Sequence, residues 1–168
     1  MSETLLQREV KVRRITTLSH QAAQGLGDAS RLRILEVLAH KAMTAEEISK
    51  ALAGSGFKKA TTTIRHHLDT LKRAGLVETA KMVEVRGAVM KYYSATVKAY
   101  GCAAPADLDA KAARTINETS IKMAKVLNGI YADKRFAALA EKDGKCKEFL
   151  AAEIVNAALA RALETTRP

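Results

Sequence analysis

Tryptophan is absent from this 168-residue chain, and aromatic residues make up only 4% of it. Any core must therefore be built from Ala, Leu, Ile and Val, a composition that favours helices. The two cysteines, Cys102 and Cys146, lie far apart with no CxxC or CxC spacing. That excludes a metal-finger framework and a secreted disulfide scaffold. A buried or inert thiol is the default reading of each, and a redox switch is the other. No apolar run approaches the ~20 residues of a membrane span. The start, Met1-Ser2-Glu3-Thr4, lacks the basic and long apolar segments of a signal peptide. No phosphate loop, GxSxG, HExxH or paired carboxylates of a cleft are visible, so the residues point away from an enzyme and name no cofactor. The expectation is a soluble cytoplasmic protein without a membrane partner.

Positive charge is plentiful, with a formal net charge of +10 and a pI near 9.8. Residues 1–100 carry 17 Lys and Arg against 9 Asp and Glu, whereas residues 101–168 carry 11 against 9. The excess sits in the first part of the chain, as expected of a surface that meets phosphates, although an inert basic surface gives the same count. Hydrophobic residues reach 48%, enough for a packed core.

Three regions follow from the patterning. Residues 1–15 mix basic and apolar side chains (Arg8, Lys11, Arg13, Arg14 with Val10 and Val12) and read as a basic arm. Residues 16–98 hold the richest set of local signals. Ile15 to Gly25 looks helical, and Asp28 stands where a helix N-cap is wanted, before the apolar face Leu32, Ile34, Leu35, Leu38. Thr44-Ala45-Glu46-Glu47 fits a capping box, opening a helix to about Leu52. A Gly-rich turn, Gly54-Ser55-Gly56, leads into a basic amphipathic helix at about 58–74, with Ile64, Leu68 and Leu71 inward and Gly75 at its C-terminal stop. From Leu76 to Ser94 the period switches to two, with Val83, Val85 and Val89 as the expected inward set and a bend at Arg86-Gly87.

After a boundary at Gly101 and Pro105, residues 104–166 turn helical again. Leu108, Ala112, Ile116, Thr119, Met123, Val126 and Ile130 repeat at threes and fours, close to a heptad. Asp143-Gly144 is a break, and Phe149, Ala152, Val155, Leu159 and Leu163 form a further stripe. This breadth of apolar surface suits a helical dimerisation or effector region. The fold class is mainly α: a winged helix-turn-helix domain with a two-stranded wing, plus a helical C-terminal dimerisation region. Two helices joined by a turn and followed by a hairpin form the arrangement that sets a cationic helix into a DNA major groove.

The same residues resemble the ArsR-like winged-helix regulators. The resemblance is carried by Gly27-Asp28-Ala29-Ser30-Arg31-Leu32-Arg33-Ile34-Leu35, by Thr44-Ala45-Glu46-Glu47-Ile48, by the run from Ile64 to Val77 with His67-Leu68 and Ala74-Gly75-Leu76-Val77, and by Lys91-Tyr92-Tyr93. It spans about residues 20–96 and implies a homodimer with helices at the interface. Three departures stand out. The segment from Leu52 to Leu68 is longer than the family's, making 54–60 either an enlarged turn or an extra turn of the recognition helix. The wing is longer too. The metal-sensing members' ligands are missing: Ala42 to Glu46 holds no thiol, and His20, His40, His66 and His67 do not pair on a terminal helix. No metal is expected.

The candidate DNA contacts are Lys58, Lys59, Thr61, Thr62, Arg65 and His66 on the first half of the recognition helix, and Arg86 at the wing bend. An arginine at position 65 can bond guanine O6 and N7 together; its competing reading is a solvated side chain paired with Asp69. Lys58 and Lys59 suit phosphates or belong to a solvated loop, and one of Thr61, Thr62 and Thr63 could instead cap the helix. Arg86 suits the minor groove or a phosphate, or is a free arginine on a loop. His67 stands at the resembled family's recurrent histidine and reads as packed or hydrogen-bonded, with a base contact as the other reading; of Tyr92 and Tyr93 one is expected in the core and one at the surface. The functional expectation is sequence-specific double-stranded DNA binding by a homodimeric, nucleoid-associated transcription regulator, a repressor, with a small-molecule effector left open. The rivals are an architectural DNA-coating protein with little sequence preference and a winged-helix protein-interaction module.

Overall fold

The computed structural model describes residue 17 and residues 19–100, 102–143 and 146–166. The basic arm expected over 1–15 lies outside them. The chain forms two compact units, one spanning Leu18–Ala113 and a second that begins at Arg114 and takes in Thr17.

The first unit opens with α1 (His20–Leu26) and α2 (Ala29–Leu38). Ser19 and Asp28 cap them, the Asp28 carboxylate accepting from the Ser30 amide at 2.6 Å. That bond to the charged form, set against a smaller desolvation effect, holds the Asp28 carboxyl below its ordinary value. Helix α3 (Ala45–Gly54) starts with the expected capping box: the Glu47 amide donates to Thr44 Oγ1 at 3.2 Å, and the Thr44 amide donates to Glu47 Oε2 at 2.7 Å. Two otherwise orphaned amides are thereby satisfied. Thr44→Ala is expected to lower stability by about 1 kcal/mol, read as a reduced urea midpoint at unchanged slope.

Helix α4 (Thr61–Arg73) is shorter than the span of 58–74 expected for it. It closes with a paired C-terminal lock in which the Gly75 amide donates to Lys72 O at 3.0 Å and the Leu76 amide to Leu71 O at 2.9 Å. The geometry needs a left-handed residue, and Gly75 has φ 73°. The helices are held by one core in which Ile34, Leu35, Ile48, Leu52, Ile64, Leu68, Leu71 and Val77 are all essentially fully buried.

Strands β1 (Val77–Val85) and β2 (Ala88–Ala95) form a two-stranded antiparallel hairpin joined at Arg86-Gly87. Both turn residues have positive φ, 52° and 79°, as tight hairpin turns of this kind require. A register shift between Thr79 and Lys81 marks a bulge. Two backbone bonds tie the returning strand to the residue before the α3 cap: Met43 N to Tyr93 O at 3.0 Å and Tyr93 N to Met43 O at 2.8 Å. Of the inward set expected for the hairpin, Val83 is half-buried but Val85 and Val89 are not inward. Val85 and Val89 are 43% and 61% exposed, because the hairpin beyond its base has no second layer to cover. Tyr93 packs against the core, while Tyr92 is half-buried with Lys81 Nζ 5.7 Å from its ring centre.

A short helix, α5 (Leu108–Lys111), precedes the second unit, which holds α6 (Ala113–Ala132), α7 (Lys134–Asp143) and α8 (Lys147–Thr165). The repeat read as continuous from Leu108 to Ile130 is therefore split between two helices. A break not anticipated at Asp133 separates α6 from α7, where the Asp133 carboxylate accepts from the Arg135 amide at 2.8 Å and from its guanidinium at 2.7 Å. These bonds hold the Asp133 carboxyl down to about 2. The small core consists of Phe136, Ala140, Leu150 and Ala151, with Leu127 and Ile130 packed on it. On α6 no side chain is buried, and Ile116, Ile121 and Val126 are 42%, 62% and 51% exposed. Burial does not hold for the cysteines: Cys102 and Cys146 are both exposed and free, each set outside the helices and strands where the cores form.

Among the described residues no helix is long and apolar enough to cross a membrane.

Candidate nucleic-acid interface

The inner face of α4 is fixed by Ile64, His67, Leu68 and Leu71, all buried. Helical phase then pushes Thr62, Arg65, His66, Asp69, Lys72 and Arg73 outward, and all six are exposed. The expected contacts Thr62, Arg65 and His66 thus share the outer side of one rigid rod. Thr61 is half-buried at its first turn.

Lys58 and Lys59 do not lie on that rod. Residues 57–60 form an irregular segment that approaches it, so the longer spacing between Leu52 and Leu68 is an enlarged turn rather than an added helical turn. The turn is organised by Phe57, with Arg33 Cζ and Lys59 Nζ at 5.0 and 5.3 Å from its ring centre, distances at which a cation is attracted to a ring face. Ser49 Oγ donates to Lys59 O at 2.8 Å. Lys58 is exposed and Lys59 half-buried. None of the threonines caps α4: the cap position falls on Ala60, which makes no side-chain bond. The free first-turn amides and the helix dipole favour an anion at this end.

Arg65 is not paired with Asp69. Its Nη2 donates to Glu46 Oε1 at 2.5 Å, and Glu46 lies 19 residues back, in the first turn of α3. Glu46, Arg65 and Asp69 face Val89, Met90 and Tyr93 of the hairpin across an open cleft of about 580 Å³. Burial raises the Tyr93 hydroxyl above its ordinary value, with the Asp69 and Glu46 charges adding to the effect and Arg65 opposing it.

His67 lies beneath the rod, 9% exposed, and its Nδ1 has no hydrogen-bond partner. Desolvation pushes its pKa below the ordinary histidine value, with Arg31, His66 and Lys59 adding to the effect and Asp28 opposing it. Its place is in the packing, as read from the sequence. Arg86 stands at the hairpin tip, exposed.

Three further lysines gather beside the hairpin. Lys72, Lys81 and Lys91 line a shallow hollow of about 260 Å³ at the hairpin flank, with Lys72 Nζ donating to Thr79 Oγ1 at 3.1 Å. The bulge after Thr79 shifts the register, so that Lys81 pairs with Tyr92 and Lys91 with Met82.

Residues 26–80 match a family model described as a helix-turn-helix domain. The match takes in α2, α3, α4 and the start of β1, about a third of the chain, and the two-stranded hairpin that follows supplies its wing. The sequence resemblance over about residues 20–96 thus meets an independent match over the middle of the same stretch. No curated protein matches the chain. Among solved structures, one similar chain is the homodimeric winged helix-turn-helix DNA-binding domain (fragment 1–100) of a possible ArsR-family transcriptional regulator from Mycobacterium bovis. It shows 22% identity over 65% of this chain and 81% of that one, with a TM-score of 0.36. Another is a PadR-like transcription factor from Bacteroides fragilis, 18% identical over 63% of this chain and 91% of that one, with a TM-score of 0.37. In the helix-turn-helix domain of this chain, α3 is the first helix of the motif and α4 the second, the position of a recognition helix.

Proposed function

We propose that the chain is a sequence-specific double-stranded DNA-binding transcription regulator, a repressor acting as a homodimer. The observation that carries the reading is the outer side of α4: a helix locked by its buried face presents Thr62, Arg65 and His66 together, with Lys58 at its approach. In this reading α4 enters the major groove, Arg65 reads a base edge, and Thr61, Thr62 and His66 contact bases or the adjacent backbone. Lys58 and Lys59 meet phosphates near the uncapped start of α4, and Arg86 reaches the backbone or the minor groove from the wing. The exposed apolar residues Ile116, Met123 and Val126, spaced seven and three apart and so on one side of α6, support pairing of two copies. Each copy then reads a half-site about one helical turn from the other.

Fluorescence anisotropy with a labelled random-sequence duplex, titrated across salt, tests the DNA-binding step. Binding at low salt with a steep linear dependence of log affinity on log salt is expected. Lys58→Ala should weaken binding to all duplexes alike and reduce that slope by about 1. No association at low salt would reject the reading, and light scattering reporting a monomer at the binding concentration would reject the dimer.

A further inference from the structure

We propose that Glu46 and Arg65 act as one reading unit for a G·C base pair, with Glu46 setting selectivity. The inference rests on the DNA-binding reading above and adds the base pair read and the residue that enforces it. The pair joins the two helices of the motif, with Arg65 Nη2 2.5 Å from Glu46 Oε1. Both side chains remain half open, 58% and 50% exposed. An exposed pair of this kind contributes little to folding. The α3 start does not need it either, because Thr44 and Glu47 already satisfy each other.

A guanidinium carries five N–H donors, and contact with one carboxylate oxygen occupies a single edge of it. A fork edge is left for guanine O6 and N7, the commonest specific arginine contact. Glu46 holds the guanidinium in one orientation, which removes some of the freedom an arginine would otherwise use to settle on any nearby phosphate. Its own carboxylate accepts from cytosine N4 and from no other donor of a G·C pair in the major groove, and it repels phosphates. The geometry therefore sacrifices general affinity for discrimination. Asp69, one turn further along α4 in the same cleft, adds a second negative charge on this side and strengthens the bias against backbone binding.

The test is selection of bound fragments from a duplex library with a randomised core, using the full chain, Glu46→Gln and Arg65→Ala. The wild-type chain should enrich a site containing a fixed G·C pair that Arg65→Ala no longer requires. Glu46→Gln should still bind but accept other pairs there, with discrimination at that position falling about tenfold. A thermal melt checks that the variant is folded. Independently of any variant, 7-deazaguanine at that position should weaken wild-type binding. An unchanged motif for Glu46→Gln, or indifference to 7-deazaguanine, overturns the reading unit while leaving sequence-specific binding intact. No enrichment by the wild-type chain overturns sequence-specific binding itself and this inference with it.

Discussion

Leu68→Ala is expected to cost about 2–5 kcal/mol of stability, a large share of what a domain of this size has to lose. Leu68 is 0% exposed and lies on α4 in the same cluster as Ile34, Leu35, Ile48, Leu52 and Leu71. Truncation removes the burial of three carbon atoms and leaves a cavity lined by side chains from three helices, which cannot all relax into it. Urea unfolding followed by circular dichroism should show the midpoint fall with little change in slope. Because α4 is held mainly by this buried face, the variant's loss of DNA binding should track its fraction unfolded. A change below about 1 kcal/mol would mean that Leu68 is not at the centre of the core.

Arg65→Ala should reduce discrimination between a selected site and random duplex by about 1–3 kcal/mol, roughly five- to 150-fold. The side chain is 58% exposed and its folded-state partner, Glu46, is 50% exposed, so the helix should survive the change. Loss of one positive charge also weakens random-sequence binding, but by less, since a base-edge contact is absent there. Competition anisotropy with both duplexes separates the two effects. Equal loss on both would assign Arg65 to the backbone rather than to a base.

The parts of this chain legible in the sequence are those in which chemistry and period are local. Asp28 as a cap, the reciprocal Thr44 and Glu47 bonds, Gly75 as a left-handed stop and the Arg86-Gly87 bend each need only a few neighbouring residues to specify them. The inward set Ile64, Leu68 and Leu71 follows from spacing, and a structural place for His67 from the family resemblance. Errors arose where the determinant was distant or tertiary. Spacing offers Asp69 at i+4 as a partner for Arg65, but the carboxylate it meets comes from a different helix. Lys58 and Lys59 were placed on the helix because nothing in their identity announces that Phe57 gathers two cations around a turn. The valines of the hairpin alternate as a half-buried strand would, but toward the tip Val85 and Val89 lie exposed. The exposed thiols fall in segments with no period to read.

The double backbone bond between Met43 and Tyr93 makes the hairpin and the head of α3 a single lever. A load applied at the Arg86-Gly87 tip travels down β2 and arrives one residue before Thr44 and three before Glu46. The wing's far end thus has a direct backbone route to the carboxylate beside Arg65.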